Sequence, residues 1–296
     1  MADGEEMNWI ENINKTLEYI ENHIYEDISM VEIAKAVNIS PFYLQKGFSL
    51  IVGFGVKEYI RNRRLFLSAL ELSIGKVKVI DIAYKYFYET PESFTKAFTR
   101  FHGVSPSAFT RDPTKIRVFL PMHVELEIKG GYTMNAKIEQ QNEFSVIGFR
   151  KSFNIETSYN DIPLFWDEIM QTEFSPELKG IIKKFKIGEL GLCHGCGCDF
   201  DYFICGFYDN SLDTIPKELE VLSVRSNSWA KFECVGPIPV ALQSINTKIF
   251  KEWLPSNANY EMADELDIEW YDSGDTSADD YHSEIWIPVK TKKVSD

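Results

Sequence analysis

Twice within its first 112 residues the chain repeats one pattern: a short helical segment around an Ile-Ala pair, a break, then a second helical segment with apolar residues three and four apart. The first copy is SMVEIAKAVNISPFYLQKGFSLIVG (Ser29 to Gly53) and the second is VIDIAYKYFYETPESFTKAFTRFHGVSPSAF (Val79 to Phe109). The stripes in the second helices are Leu44 and Phe48, then Phe94, Ala97, Phe98 and Phe101. A stripe on one side packs inward and leaves the opposite side free, as in a helix-turn-helix whose second helix enters a major groove. The intervening GFGVKEYIRNRRLFLSALELS supplies about twenty helical residues, roughly 30 Å at 1.5 Å per residue. That is near one turn of duplex DNA, so the two reading helices are spaced to meet successive major grooves.

The side chains left facing outward have base-reading chemistry. In the first reading helix they are Phe42, Gln45 and Lys46. Gln pairs with adenine N6/N7, Lys with guanine O6/N7, and an aromatic ring touches a thymine methyl. In the second they are Glu92, Ser93, Lys96 and Arg100; Glu92 is placed to accept from cytosine N4, or to pair with Lys96 four residues on. Arg61, Arg63 and Arg64 on the linking helix suit either phosphates or a structural tie, with Arg64 the one expected to be structural.

Charge is distributed to match. The whole chain carries a net charge of −14, but residues 40–112 hold eleven basic and six acidic side chains, against two and nine in residues 1–39 and eighteen and thirty in residues 113–296. DNA affinity follows local Lys/Arg density over phosphates rather than total charge, and the acidic remainder confines binding to one face. A hydrophobic fraction of 44% is ordinary for a globular protein, and no apolar run is long enough for a membrane span. The first residues lack the basic and apolar regions of a signal peptide. Five cysteines are expected to be reduced. These features together suggest a soluble cytoplasmic protein.

Helices are expected near 9–24, 29–37, 41–51, 54–73, 79–86, 90–101 and 105–110, with Ser29, Ser40 and Thr90 at N-cap positions. Asp112-Pro113 ends this all-helical part. Residues 113–134 read as a connector with one strand and a Gly-Gly turn. The pattern then becomes β-α-β-β, and it occurs twice. KIEQQNEFSVIGFRKSF, DIPLFWDEIMQ, IGELGLCHG and FDYFICGFYD make one copy; LEVLSVRSNSWAKFECVG, PIPVALQSINTKIFKEWLP, LDIEWYD and SEIWIPVK make the other. The expected fold is therefore multidomain. An all-α N-terminal domain (1–112) with two helix-turn-helix units precedes an α+β C-terminal domain (135–296) of two β-α-β-β repeats around a ligand cleft. Trp166, Tyr202, Trp229 and Trp286 sit on the helix or strands that such a sheet presents to the cleft, core packing being the alternative for each.

The run Cys193-His194-Gly195-Cys196-Gly197-Cys198, with Cys205 beyond it, suits Zn²⁺, Cu⁺ or oxidant sensing, although its spacing is not that of a zinc-finger knuckle and small residues are needed at a strand turn anyway. No metal site is assigned to it. There is no G-x-G-x-x-G, G-K-[ST], nucleophile elbow or HExxH, so neither a cofactor nor a catalytic residue is expected.

The helical half resembles the AraC/XylS family of transcription regulators. The second unit carries Ile82-Ala83, Phe94, Phe98, Gly103 and Ser105-Pro106 in the family's order; the first carries Ile33-Ala34, Ser40, Leu44, Phe48, Gly53, Tyr59-Ile60 and Arg64-Leu65. One departure is Phe87, before Tyr88, where the family has glycine. The C-terminal half resembles the GyrI-like effector-binding domain through Met134, Val146-Ile147-Gly148, Trp229-Ala230-Lys231-Phe232, Gly236-Pro237, Trp253-Leu254-Pro255, Glu269-Trp270-Tyr271 and Glu284-Ile285-Trp286-Ile287-Pro288. The resemblance implies a sequence-specific, non-enzymatic regulator. Its partners would be double-stranded promoter DNA, a small lipophilic, cationic effector and RNA polymerase, with no membrane. It also implies that Glu284 meets the cation in an aromatic-lined pocket, where desolvated charge and ring faces favour a large cation; a structural ion pair is the alternative. Runner-up functions are a drug-binding or hydrolytic protein, and a metal- or redox-responsive regulator working through Cys193–Cys205.

Overall fold

The computed structural model describes residues 9–75, 77–125, 134, 136–154, 157–196 and 199–292. They fall into two compact units. The helical unit holds Ile10–Pro41 and residues 52–125; the sheet unit holds Trp9, Phe42–Ile51 and the described residues from Met134 onward.

The N-terminal helices are α1 (Trp9–Asn22), α2 (Met30–Ala36), α3 (Pro41–Val52), α4 (Val56–Ser73), α5 (Val79–Lys85), α6 (Pro91–His102) and α7 (Pro106–Arg111). Their starts are chemically marked. Ser29 and Glu32 form a reciprocal capping box, with the Ser29 amide donating to Glu32 Oε2 at 2.8 Å. Thr90 Oγ1 accepts from the Ser93 amide at 3.1 Å with Pro91 opening the helix, and Gly103 ends α6 in the left-handed region at φ 78°. The stripe of α6 is buried as its spacing requires: Phe94, Phe98 and Phe101 join Ile82, Ala83, Tyr86, Phe109 and the α4 residues Leu65 and Phe66 in one core.

Both turns place one residue at positive φ, Asn38 at 54° and Phe87 at 64°. Asn tolerates this region; a side chain like that of Phe87 stores about 1–2 kcal/mol there. The turn thus keeps the left-handed conformation that glycine would supply. The Phe87 ring lies under the Arg64 guanidinium, 4.5 Å away, while Tyr88 meets Phe94 edge-on at 5.3 Å.

The arginines of α4 divide. Arg63 is buried and bidentate to Glu21, Nε to Oε1 and Nη2 to Oε2, both at 2.7 Å; it also donates to the Phe119 carbonyl, and the Tyr59 hydroxyl donates to Glu21. Arg64 donates to the Ile24 and Glu26 carbonyls, in line with its expected structural role. Arg61 is exposed and pairs only loosely with Glu58 at 3.4 Å.

The sheet unit contains β1 (Lys137–Gln141), β2 (Phe144–Asn154), α8 (Ser158–Gln171), α9 (Pro176–Lys184), β3 (Leu190–Cys196) and β4 (Asp199–Tyr208). Then follow β5 (Glu220–Val224), β6 (Asn227–Val235), α10 (Val240–Lys248), which continues through a π-helical turn (Ile249–Trp253) into α11 (Leu254–Ser256), then β7 (Tyr260–Met262), β8 (Leu266–Tyr271) and β9 (His282–Thr291). The strands form one antiparallel sheet in the order β1-β6-β9-β8-β3-β4-β2-β5, with β7 on β9. Matching β1 to β5, β2 to β6, β3 to β8 and β4 to β9 makes this order its own mirror image, so the sequence repeat is a structural one whose copies meet at β3–β8. The first strand expected in each copy is instead two, broken at residues 142–143 and 225–226. Each leading strand pairs with the other copy, β1 with β6 and β5 with β2, so neither copy completes its sheet alone. The described connector residues 113–125 contain no strand, and the Gly-Gly turn lies outside the described residues. Among the described residues no helix is long and apolar enough to cross a membrane.

Candidate effector site and DNA-reading face

Strand alternation builds the effector site. Residues two apart share a face, so Asp267, Glu269 and Tyr271 of β8 point the same way, and the antiparallel register adds Gly191 and Cys193 of β3 and Tyr202 of β4 to that face. Tyr202 and Tyr271 hydroxyls both donate to Glu269 Oε2, at 2.9 and 2.8 Å, and the Trp166 indole N–H donates to the Tyr202 oxygen at 3.1 Å. Gly191 is required here: a Cβ would stand 2.1 Å from the Tyr202 hydroxyl. Above this floor is a cavity of about 400 Å³. Its walls are Ile162, Pro163, Trp166 and Met170 of α8, Leu242 and Gln243 of α10, and Phe42, Lys46 and Ser49 of α3. Burial pushes the Glu269 carboxyl above its ordinary value of 4.5, and the Asp267 charge adds to this; the two tyrosine hydroxyls and Lys46 act in the opposite direction.

The register also locates the other candidates. Trp166 lines the cavity. Tyr202 is fully buried and acts behind the surface, orienting Glu269. Glu284 was expected in the pocket, yet it is not among the cavity-lining residues. It pairs with Trp270, whose side chain points opposite to that of Glu269, so Glu284 is on the other face of the sheet. There its carboxylate accepts from the Trp286 indole N–H. The same parity carries Trp286 and Trp229 away from the cavity, into a core with Leu190, Leu192, Ile268 and Phe203. Trp229 and Trp286 meet edge-to-face at 6.3 Å, and Lys231 Nζ lies 3.7 Å from the Trp286 ring centroid. Asp167 and Asp272 also line the cavity; of the two strand glutamates, the one that faces it is therefore Glu269, inside the Glu269-Trp270-Tyr271 motif. Its signal is the Asp-x-Glu-x-Tyr alternation in LDIEWY, three polar groups on one face of a strand flanked by apolar ones.

Parity also separates two cysteines of the cluster: Cys193 borders the cavity, and Cys205 is in the core across the sheet. Burial raises both thiols, so neither is a ready thiolate. Residues 197–198 and the Cys196 side chain lie outside the described part. Among the described residues no three His, Cys, Asp or Glu side chains are grouped to hold a metal.

The two reading helices differ. On α6 the side chains Glu92, Ser93, Lys96 and Arg100 form an exposed face opposite the buried phenylalanines, and Glu92 and Lys96 do not pair with each other. On α3, Leu44 and Phe48 are buried as expected, but the face expected to be open is covered too: Phe42 is 2% and Gln45 1% exposed. Phe42 packs on Phe200 at 5.7 Å, the Tyr43 hydroxyl donates to the Leu266 carbonyl at 2.9 Å, and Lys46 Nζ lies 2.7 Å from Asp267 Oδ2 and 3.1 Å from Oδ1. Gly47 lets the Trp9 indole lie on the helix, since a Cβ there would be 2.0 Å from Trp9 Cζ2.

A helical unit with an exposed basic reading helix, and a sheet unit with a ligand-sized cavity, define a DNA-binding regulator with an effector-binding domain. Residues 33–112 match a helix-turn-helix domain family. Residues 137–289, just over half of the chain, match the family described as integron-associated effector binding protein, to which the chain belongs. Among curated relatives, the HTH-type transcriptional activator AarP of Providencia stuartii is 37% identical over 102 residues, 34% of this chain and 76% of that protein. The uncharacterized HTH-type transcriptional regulator YbfP of Bacillus subtilis is 36% identical over 97 residues, so the chain spans about a third (33%) of that relative's length and the match takes in 33% of its own. A solved structure of SAV2435 bound to tetraphenylphosphonium is similar at 24% identity and a TM-score of 0.45, over 53% of this chain and 94% of that one.

Proposed function

We propose that this AraC-type regulator reads promoter DNA through the exposed face of α6 and through α3, and answers to a lipophilic organic cation bound over Glu269, with RNA polymerase as its downstream partner. In functional terms residues 1–112 are the DNA-binding part, 113–134 the connector and 135–296 the sensor. The observation that carries the effector class is Glu269: a carboxylate with a raised pKa at the floor of a cavity walled by Trp166, Tyr271, Phe42 and aliphatic side chains. Such a site disfavours small hydrated ions, which lose too much hydration, and suits a bulky cation whose apolar surface is buried while its charge meets carboxylate and ring faces.

The test is calorimetry with tetraphenylphosphonium and a neutral triphenylphosphine oxide of similar shape. Glu269→Gln should weaken the cation by about 1–3 kcal/mol, the value of a charge-assisted contact, and leave the neutral ligand nearly unchanged. Equal losses for both ligands would mean that Glu269 only holds the fold. The pH dependence has a definite sign. The cation needs the ionised carboxylate and protons compete for it, so affinity should fall as pH is lowered through the Glu269 pKa, beginning above the ordinary 4.5. A flat profile across that range counts against the site.

For DNA, Lys96→Ala should cost roughly 1–3 kcal/mol on a duplex enriched by the full chain from a random-sequence library, if Lys96 reads a base. A phosphate-contacting Lys96 would instead lower affinity uniformly across sequences and reduce the salt slope by about one. Failure of the chain to enrich any sequence would remove the specific-readout claim.

A further inference from the structure

The ammonium of Lys46 occupies the chemistry just assigned to the effector. It is salt-bridged to Asp267, and it lies 5.8 Å from the ring centroids of both Phe42 and Phe250. Asp267 and Glu269 are two residues apart on one face of β8, and Lys46 and Glu269 line the same cavity. The side chain is at the same time one of those expected to read bases. Resting on the effector reading above, we propose that Lys46 is an internal surrogate for the effector cation: it latches α3 onto the sheet with its base-reading residues covered, and an entering organic cation displaces it and frees α3 for DNA.

A ligand moves an equilibrium only through its differential affinity for the two states. Here the difference is electrostatic. With α3 docked, a cation over Glu269 faces the Lys46 charge across the same cavity; with α3 released, Asp267 and Glu269 both remain for the cation alone. The rest of the contact makes α3 move as one piece. The Tyr43 hydroxyl is tied to the Leu266 carbonyl, and Gly47 seats the Trp9 indole, so Phe42, Gln45 and Lys46 are covered or uncovered together. The docked state is also imperfect: the Gln45 side-chain oxygen is buried without a hydrogen-bond partner, a desolvation cost that release would relieve. An occluded reading helix whose base-reading lysine is tied down by an ion pair, and whose Gln45 amide oxygen is buried unsatisfied, fits a latch better than a permanent core helix.

Two variants of the full chain test this. Lys46→Gln removes the surrogate and leaves Asp267 uncompensated, so tetraphenylphosphonium affinity should rise by roughly 5–150-fold, the usual range of a coupling between sites. Asp267→Asn breaks the latch without touching a base-reading residue. Its affinity for the library-selected duplex, without ligand, should rise toward that of wild type saturated with tetraphenylphosphonium, and its response to the cation should shrink. Thermal melting of each variant confirms that it is folded. If wild type binds the cation but Lys46→Gln binds it no more tightly, the latch is overturned while the pocket reading stands. If tetraphenylphosphonium lowers wild-type DNA affinity, the direction proposed is wrong. If neither wild type nor Lys46→Gln binds the cation, the effector reading fails and the surrogate idea with it.

Discussion

Replacing Arg63 by methionine is expected to destabilise the helical unit by about 3–5 kcal/mol, the range for breaking a buried ion pair from one side. Methionine fills much of the aliphatic volume of arginine, so packing loss is a minor part of this. The larger part is Glu21, which would lose both guanidinium contacts and keep only the Tyr59 hydroxyl, and the Phe119 carbonyl, which would lose its donor. Arg63 is only 4% exposed and the Glu21 side chain 22%, so water replaces the missing partner only in part. Urea unfolding followed by far-UV circular dichroism measures the loss. The double variant Glu21→Gln/Arg63→Met removes the stranded charge and should recover more than half of it. A single-variant loss below about 1 kcal/mol, the value of a surface pair, would show that the pair is solvent-screened in solution.

Trp229→Ala is expected to cost the sheet unit about 3–5 kcal/mol, as for other buried aromatics truncated in a core. The ring is 0% exposed and packs against Trp286 and Phe144. Trp229→Phe should cost far less than this, because the indole N–H is buried without a partner and its removal relieves a desolvation penalty. Neither variant should change tetraphenylphosphonium affinity selectively, since the ring faces away from the cavity. Selective loss of the cation, with stability retained, would return Trp229 to the ligand site.

Much of the architecture was legible from local chemistry. The capping serines and threonines, the Phe94/Phe98/Phe101 stripe and the Pro after Asp112 are read within a turn or two of chain, and the helices stand where those signals put them. The two-copy pattern was legible for the same reason, as alternation and helical spacing recur in order. Helix α9 is not among the elements expected from the sequence pattern, although Ser175-Pro176 marks its start with a cap, Ser175 Oγ accepting from the Leu178 amide at 3.2 Å. The leading strand of each copy reads as one because the apolar run does not show where pairing partners change.

The pocket depended on information that no local window contains. Which face of a strand meets a cavity is set by register with its neighbours, and a shift of one residue exchanges the faces. Glu269 and Glu284 both lie in aromatic strands with near-identical credentials; only the pairing of Glu284 with Trp270 separates them. The covered face of α3 is of the same kind. Its composition, Phe42, Gln45 and Lys46, suits a DNA groove, and by itself the helix determined no more than which side carries Leu44 and Phe48. Asp267 sits 221 residues away, where nothing in the helix announces a partner. The sequence by itself determined two helix-turn-helix units, a doubled β-α-β-β sheet and a local basic excess, because these follow from periodicity, caps and charge counts. Only the tertiary structure decided which of the two strand glutamates faces the cavity and that Lys46 pairs with Asp267, because long-range register and docking bring together residues that sequence spacing keeps apart.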